Sequence, residues 1–290
     1  MKRREFIQQA LMASTGVALY GCNRTVTHPK TSAIGLQLYT LKDIIRDDVG
    51  GTLKKVADIG YKELEAYSYS DGKIFDLPYP EFKSMVSDLG MRIISGHYGT
   101  GQLNPEVKGT LLNGWEAAVA DARDAGQDYM VIAWLHPDER KSIDDYKRVC
   151  ALINEGAATC RNMGITLAYH NHEFEFDLLE DQVPYEVMLQ ELDQSVLLEL
   201  DIYWSTFSGV SALDLFKKYP GRFPLWHVKD MDKTDRTHNT DVGTGSVDFP
   251  AIFMAAQEAG MKHFFLEQEW FAGHQVDSIT KGYQYLRTIG

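Results

Sequence analysis

Cysteine is scarce in this chain, which carries only Cys22, Cys150 and Cys160. The last two fall in one expected helix, separated along its axis by about 15 Å at 1.5 Å per residue. A disulfide needs Cα atoms within roughly 7 Å, so these two cannot bridge and are expected as core residues. Positive charge is also short: 29 Lys and Arg against 41 Asp and Glu leave a formal net charge of −12, with no basic cluster. That balance argues against a nucleic-acid partner. The apolar segment Ala10–Leu19 falls short of the about 20 residues that cross a bilayer. No Gly-x-Gly-x-x-Gly follows the first expected strand, which weighs against an open dinucleotide-binding sheet. No low-complexity segment or internal linker divides the chain.

What is present begins with the N-terminus. Lys2, Arg3 and Arg4, the short apolar stretch and the small residue before Cys22 describe a cleaved signal segment. Arg3-Arg4 followed by Phe6 and Ile7 fits a twin-arginine signal, a route that carries proteins already folded. Leu19-Tyr20-Gly21-Cys22 resembles a lipobox, in which the cysteine becomes the lipid-bearing terminus. The expected organisation is a signal peptide over residues 1–21, a polar tether over 22–32 with Cys22 lipidated, and one domain over 33–290. The expected location is the periplasm, anchored to the membrane. Removing residues 1–21 takes away Lys2, Arg3, Arg4 and Glu5 and moves the net charge from −12 to −14.

Hydrophobic residues make up 44% of the chain, enough for a sizeable core. Eight apolar, β-prone runs recur: Ala33–Tyr39, Lys62–Tyr67, Arg92–His97, Tyr129–Trp134, Thr166–His172, Leu197–Tyr203, Pro224–Lys229 and His263–Glu269. Helical patterns lie between them, among them Thr52–Ile59, Trp115–Ala125, Ile143–Met163 and Phe249–Ala259. Several helices stop at a glycine, including Gly60, Gly126, Gly164 and Gly260, and a strand follows within a few residues. A βα unit repeated eight times predicts a single-domain (β/α)₈ barrel, in which catalytic groups sit at the C-terminal ends of the strands.

Those ends are rich in metal-type ligands. The fifth strand closes on Tyr169-His170-Asn171-His172, with Glu173 beyond it. The sixth brings Asp201, the seventh His227 and Lys229, the eighth Glu267 and Glu269. A buried charge costs several kcal/mol unless it is paired or metal-bound, so four consecutive strands ending this way point to a metal centre. A mixed nitrogen and oxygen set suits one divalent ion, Mn, Zn or Fe, and is a poor match to Ca²⁺. Tyr39, Glu65, His97, Trp134, Trp204 and Trp270 fall at the same rim. Aromatic faces suit the apolar faces of a sugar, and Glu65 and His97 can bond its hydroxyls, so these are candidate substrate contacts.

Several stretches together resemble the xylose-isomerase-like TIM barrels, a family of sugar phosphate isomerases and epimerases. They are Ile34–Leu41, Tyr169–His172, Leu200-Asp201, Trp226–Asp230, Val242–Gly245 with Asp248-Phe249, and Phe265–Glu267. The resemblance implies metal ligands at Asp201, His227 and Glu267. Where ketose 3-epimerases of that family carry a glutamate as the first ligand, this chain has His170, and His172 or Glu173 could also fill the place. The Tyr-His-Asn-His form is similar to inosose dehydratases and 3-keto-glycoside lyases of the family. It implies removal of a proton beside a ketone, with Glu267 or His172 as base and Lys229 as a substrate contact or acid.

An exported member is expected to act on an unphosphorylated keto-sugar, glycoside or cyclitol; Gly243 and Gly245 offer only a slight phosphate cradle. Two other readings remain at this point. A phosphodiesterase of the same superfamily needs three metals and a basic groove, neither of which the sequence shows. An exported carbohydrate-binding lipoprotein would carry no metal and no activity.

Overall fold

A computed structural model of the chain describes residues 33–289. The expected signal segment, tether and Cys22 lie outside the described residues. Eight parallel strands close into a barrel: β1 (Gly35–Gln37), β2 (Glu63–Ala66), β3 (Arg92–Tyr98), β4 (Tyr129–Ile132), β5 (Thr166–His170), β6 (Leu197–Asp201), β7 (Leu225–Val228) and β8 (His263–Leu266). Each strand pairs with its sequence neighbours, and β8 closes against β1 through Gly35 opposite Phe265.

Alternation along the strands sorts the core into two layers. Met130, Ile132, Leu167, Tyr169, Trp226, Phe264 and Leu266 face the helices and join the large outer cluster. Their neighbours Val131, Ala168, Leu225 and Phe265 point the other way and form a separate cluster with Ile94 inside the barrel. Gly35 is required there, because a Cβ would stand 2.5 Å from the Phe265 ring.

Most helices match the sequence pattern. Trp115–Ala125 has the expected bounds and closes on Gly126, whose φ of 85° is the left-handed conformation that glycine adopts without strain. The long helix Ile143–Asn162 starts with a capping box, Ser142 and Asp145 each bonding the other's backbone. Phe249–Ala259 is not one helix: it divides at Ala255 into Phe249–Met254 and Ala256–Ala259. Most strands are shorter than their apolar runs, while β3 runs one residue further, to Tyr98. β5 ends at His170 and β6 at Asp201, where the helix Ile202–Phe207 begins at once. Cys150 and Cys160 are both buried and unbridged.

Phe216 anchors the outer layer, stacked on Trp226 with centroids 5.0 Å apart and planes 4° from parallel. Both are fully buried. Phe216→Ala should lower unfolding free energy by about 3–5 kcal/mol, the usual range for a buried aromatic truncated to alanine. Denaturant unfolding followed by tryptophan fluorescence checks this.

Candidate active site

Strand register sets the site. His227 on β7 lies opposite Asp201 on β6 and Phe265 on β8, so Glu267 follows two residues past that pair on the same face. His170, the last residue of β5, lies opposite Glu199, two residues before Asp201. These steps bring one ligand-type atom from each of His170, Asp201, His227 and Glu267 within 4.8 Å of the others.

His170 Nε2 is 3.1 Å from His227 Nδ1, which is 3.0 Å from Glu267 Oε2. Asp201 Oδ2 stands 3.6 Å from His170 Nε2 and 4.0 Å from His227 Nδ1. Ligands about 2.0–2.1 Å from a tetrahedral ion stand roughly 3.3 Å from one another, so the spacing fits a single ion. Asp201 Oδ1 caps the following helix by accepting from the Trp204 backbone N–H, at 2.9 Å. Its Oδ2 is buried and accepts no hydrogen bond. An orphaned carboxylate oxygen costs about 1–3 kcal/mol or more, which a cation among these four groups would offset.

The electrostatics agree. Burial raises the Asp201 carboxyl, with the Lys229 ammonium partly opposing. Burial also acts to raise Glu267, but Lys229 and His227 outweigh it and hold that carboxyl well below its usual range. Burial, reinforced by the neighbouring His227 and His97, holds His170 well below the ordinary imidazole value and so favours its neutral, metal-binding form.

A cavity of about 470 Å³ opens over this group. Its lining includes Tyr39, His97, Trp134, His172 and Trp204 from the expected set, with His170 and Glu267 at its base. Arg140, Glu173, Phe174 and Glu269 line it too, and sequence reading did not single out the first or the second pair's Phe174. Arg140 lies in a loop and packs its guanidinium 3.5 Å from the centre of the Phe174 ring.

Residues 53–289 match the family model described as a xylose isomerase-like TIM barrel. The chain belongs to that family. A sugar phosphate isomerase/epimerase from Parabacteroides distasonis ATCC 8503 has a solved structure with 27% identity and a TM-score of 0.77, covering 88% of this chain and 97% of its own. The L-ribulose 3-epimerase of Mesorhizobium japonicum is 22% identical over 246 residues, 82% of this chain and 71% of that protein. A solved structure of the IOLI protein with a zinc atom shares the fold, at 13% identity and TM-score 0.66, covering 89% of this chain and 97% of its own.

Within this family barrel, several expectations are corrected or resolved. His172 does not continue the fifth strand beside His170. It lies past the strand end, its ring 4.9 Å from His170 and stacked parallel on Phe174 at 5.4 Å. His170, not His172 or Glu173, joins Asp201, His227 and Glu267. Glu65 is fully buried below the cavity, taken up by Gln37, Ser95, His97 and His227, so it is not a substrate contact.

Lys229 is equally buried. Its Nζ engages Glu269, lies 3.4 Å from Glu267 Oε2 and 3.8 Å from Asp201 Oδ2. Despite burial, the Glu267, Glu269 and Asp201 carboxylates raise its pKa and favour its charged form. Trp270 lies outside the cavity lining and stacks on His238 at 4.6 Å. The backbone N–H groups of Gly243 and Gly245 both donate to Asp230 Oδ2 at 2.9 Å, which leaves them no phosphate to cradle.

Proposed function

We propose that this protein is a metal-dependent isomerase or lyase that removes a proton beside the ketone of a small, unphosphorylated sugar, glycoside or cyclitol. The observation that carries the reading is the convergence of His170, Asp201, His227 and Glu267 at the base of an aromatic-walled cavity, with Asp201 Oδ2 left without a hydrogen bond. The epimerase relative and the isomerase/epimerase structure support the class of chemistry, and the zinc atom of the IOLI structure supports a metal.

His170, Asp201, His227 and Glu267 would hold one divalent ion, Mn, Zn or Fe. When bound, such an ion supplies a Lewis acid that lowers the pKa of a C–H next to a ketone. This chain's own residues orient the substrate and move the proton. Trp134, Trp204 and Tyr39 offer ring faces to the sugar, and His97 offers an imidazole edge at the wall. His172 and Glu267 are the groups placed to take the proton. With His170 in place of a second carboxylate, one-sided proton transfer or elimination is favoured over epimerisation, which needs a base on each face. Export through Arg3-Arg4, with a lipid on Cys22, belongs to the same reading, since neutral glycosides are met outside the cytoplasm.

A panel of 3-keto-glycosides, ketoses and inososes incubated with the metal-loaded protein and followed by NMR tests the assignment. Conversion of none of them, at full metal occupancy, would sink it. Trp204 lies 5.9 Å from the His172 ring at the cavity wall. Trp204→Ala should weaken substrate binding by about 1–2 kcal/mol, the scale of one ring contact plus its buried area. The expected sign is a rise of roughly tenfold in KM with metal content unchanged.

A further inference from the structure

Below the cavity a second polar layer fills the barrel, and it is turned toward His227. Glu65 Oε1 lies 2.6 Å from His227 Nε2, 2.9 Å from His97 Nε2 and 2.6 Å from Gln37 Nε2. Its other oxygen accepts from Ser95 Oγ at 2.5 Å. Glu65, Gln37, Ser95 and His227 are all fully buried. Glu199 completes the layer, its Oε2 3.1 Å from His97 Nε2 and 3.3 Å from His227 Nε2.

We propose that Glu65 is a positioning residue for His227, an inference that rests on the metal reading above. A carboxylate can only accept, so the hydrogen of this bond sits on His227 Nε2. That fixes the ring's orientation and turns Nδ1 toward His170, Asp201 and Glu267, where it would bind the ion in place of its present contact with Glu267 Oε2. Gln37 and Ser95 in turn hold the carboxylate, each donating to one of its oxygens. The chain from Ser95 through Glu65 to His227 is therefore built from β3, β2 and β7, and it transmits their packing to one metal ligand.

The same four groups, Glu65, His97, Glu199 and His227, could be read as a second ion site, since their ligand atoms also lie within 4.8 Å. Their separations decide against it. Contacts of 2.6 and 2.9 Å to one carboxylate oxygen are hydrogen-bond lengths, well inside the roughly 3.3 Å between ligands of a tetrahedral ion. That oxygen also already accepts from Gln37.

The test compares wild type with Glu65→Gln, Glu65→Asp and Glu199→Gln in the full-length protein. Metal affinity is measured by chelator competition, stoichiometry by elemental analysis, and ligand geometry by visible absorption after Co²⁺ loading. The expected result is one ion per wild-type chain and a loss of about 10–100-fold in affinity for both Glu65 variants, with altered Co²⁺ bands. Glu65→Asp keeps the charge but withdraws it from Nε2, so it serves if Glu65→Gln does not fold. Glu199→Gln should keep one ion at close to wild-type affinity. Folded Glu65 variants with wild-type affinity and spectrum overturn the proposal while leaving the metal site standing. Two ions in wild type, falling to one in Glu199→Gln, would make the deeper groups ligands and overturn it as well. A wild-type chain that takes up no divalent ion removes the functional reading itself.

Discussion

Asp201→Asn should emerge folded but nearly stripped of its metal. The carboxylate is fully buried, one oxygen already committed to capping the helix Ile202–Phe207 and the other facing His170 and His227. Asparagine keeps the capping oxygen and the volume, so the fold should survive. What is lost is a full negative charge in a dry site. Removing one partner of a buried charged pair costs about 3–5 kcal/mol, which as an affinity is a loss of a few hundredfold or more. The variant amide also turns an N–H₂ toward the place where the cation would sit. His227→Ala should fall as far, because His227 Nδ1 lies within 3.1 Å of both His170 Nε2 and Glu267 Oε2. Elemental analysis of the purified proteins, beside thermal melts to confirm folding, gives the answer. Full metal occupancy in both variants would rule out the site.

The fold was legible because its signals repeat. Eight apolar runs, each followed by a helical pattern, leave few architectures open, and closings such as Gly126 and Gly260 mark the same boundary in sequence and structure. The ligand set was legible for a related reason. His170, Asp201, His227 and Glu267 close four consecutive strand runs, the family resemblance implies the last three as ligands, and two-residue alternation set His172 beside His170. That argument fails where a strand stops. β5 ends at His170, and nothing in Tyr169-His170-Asn171-His172 says that the alternation is broken there by Asn171, whose side chain bonds Asp201 backbone across the strand gap.

Depth was not legible either. Glu65 and Lys229 sit near strand ends like the true lining residues, but both are fully buried and held by side chains of other elements, Glu65 by Gln37, Ser95 and His227 and Lys229 by Glu269. Arg140 and Phe174 come from loops, whose paths no periodicity describes.

Proton transfer offers the second large effect, and it separates two residues that sequence could not rank. A substrate turning over in D₂O should acquire deuterium at the carbon beside its ketone, in product or in recovered starting material. Glu267 and His172 both line the cavity, but the protein holds them differently. Glu267 Oε2 is shared by His227 Nδ1 at 3.0 Å and Lys229 Nζ at 3.4 Å, and it belongs to the ligand group. His172 stands outside that group, stacked between Phe174 and the Trp204 side of the wall, and its buried Nδ1 has no hydrogen-bond partner. A positioned general base contributes about 10²–10⁴-fold, so His172→Ala should lose that much of the exchange rate while keeping its metal. Glu267→Gln should lose exchange and metal together. The two results are distinguishable in one experiment, with exchange read by NMR and metal by elemental analysis of the same samples. If His172→Ala exchanges at the wild-type rate and only Glu267→Gln is impaired after metal is restored, the base is Glu267. Turnover in D₂O with no deuterium incorporated by the wild type would mean that the hydrogen never leaves the substrate for the protein, and neither residue would be the base.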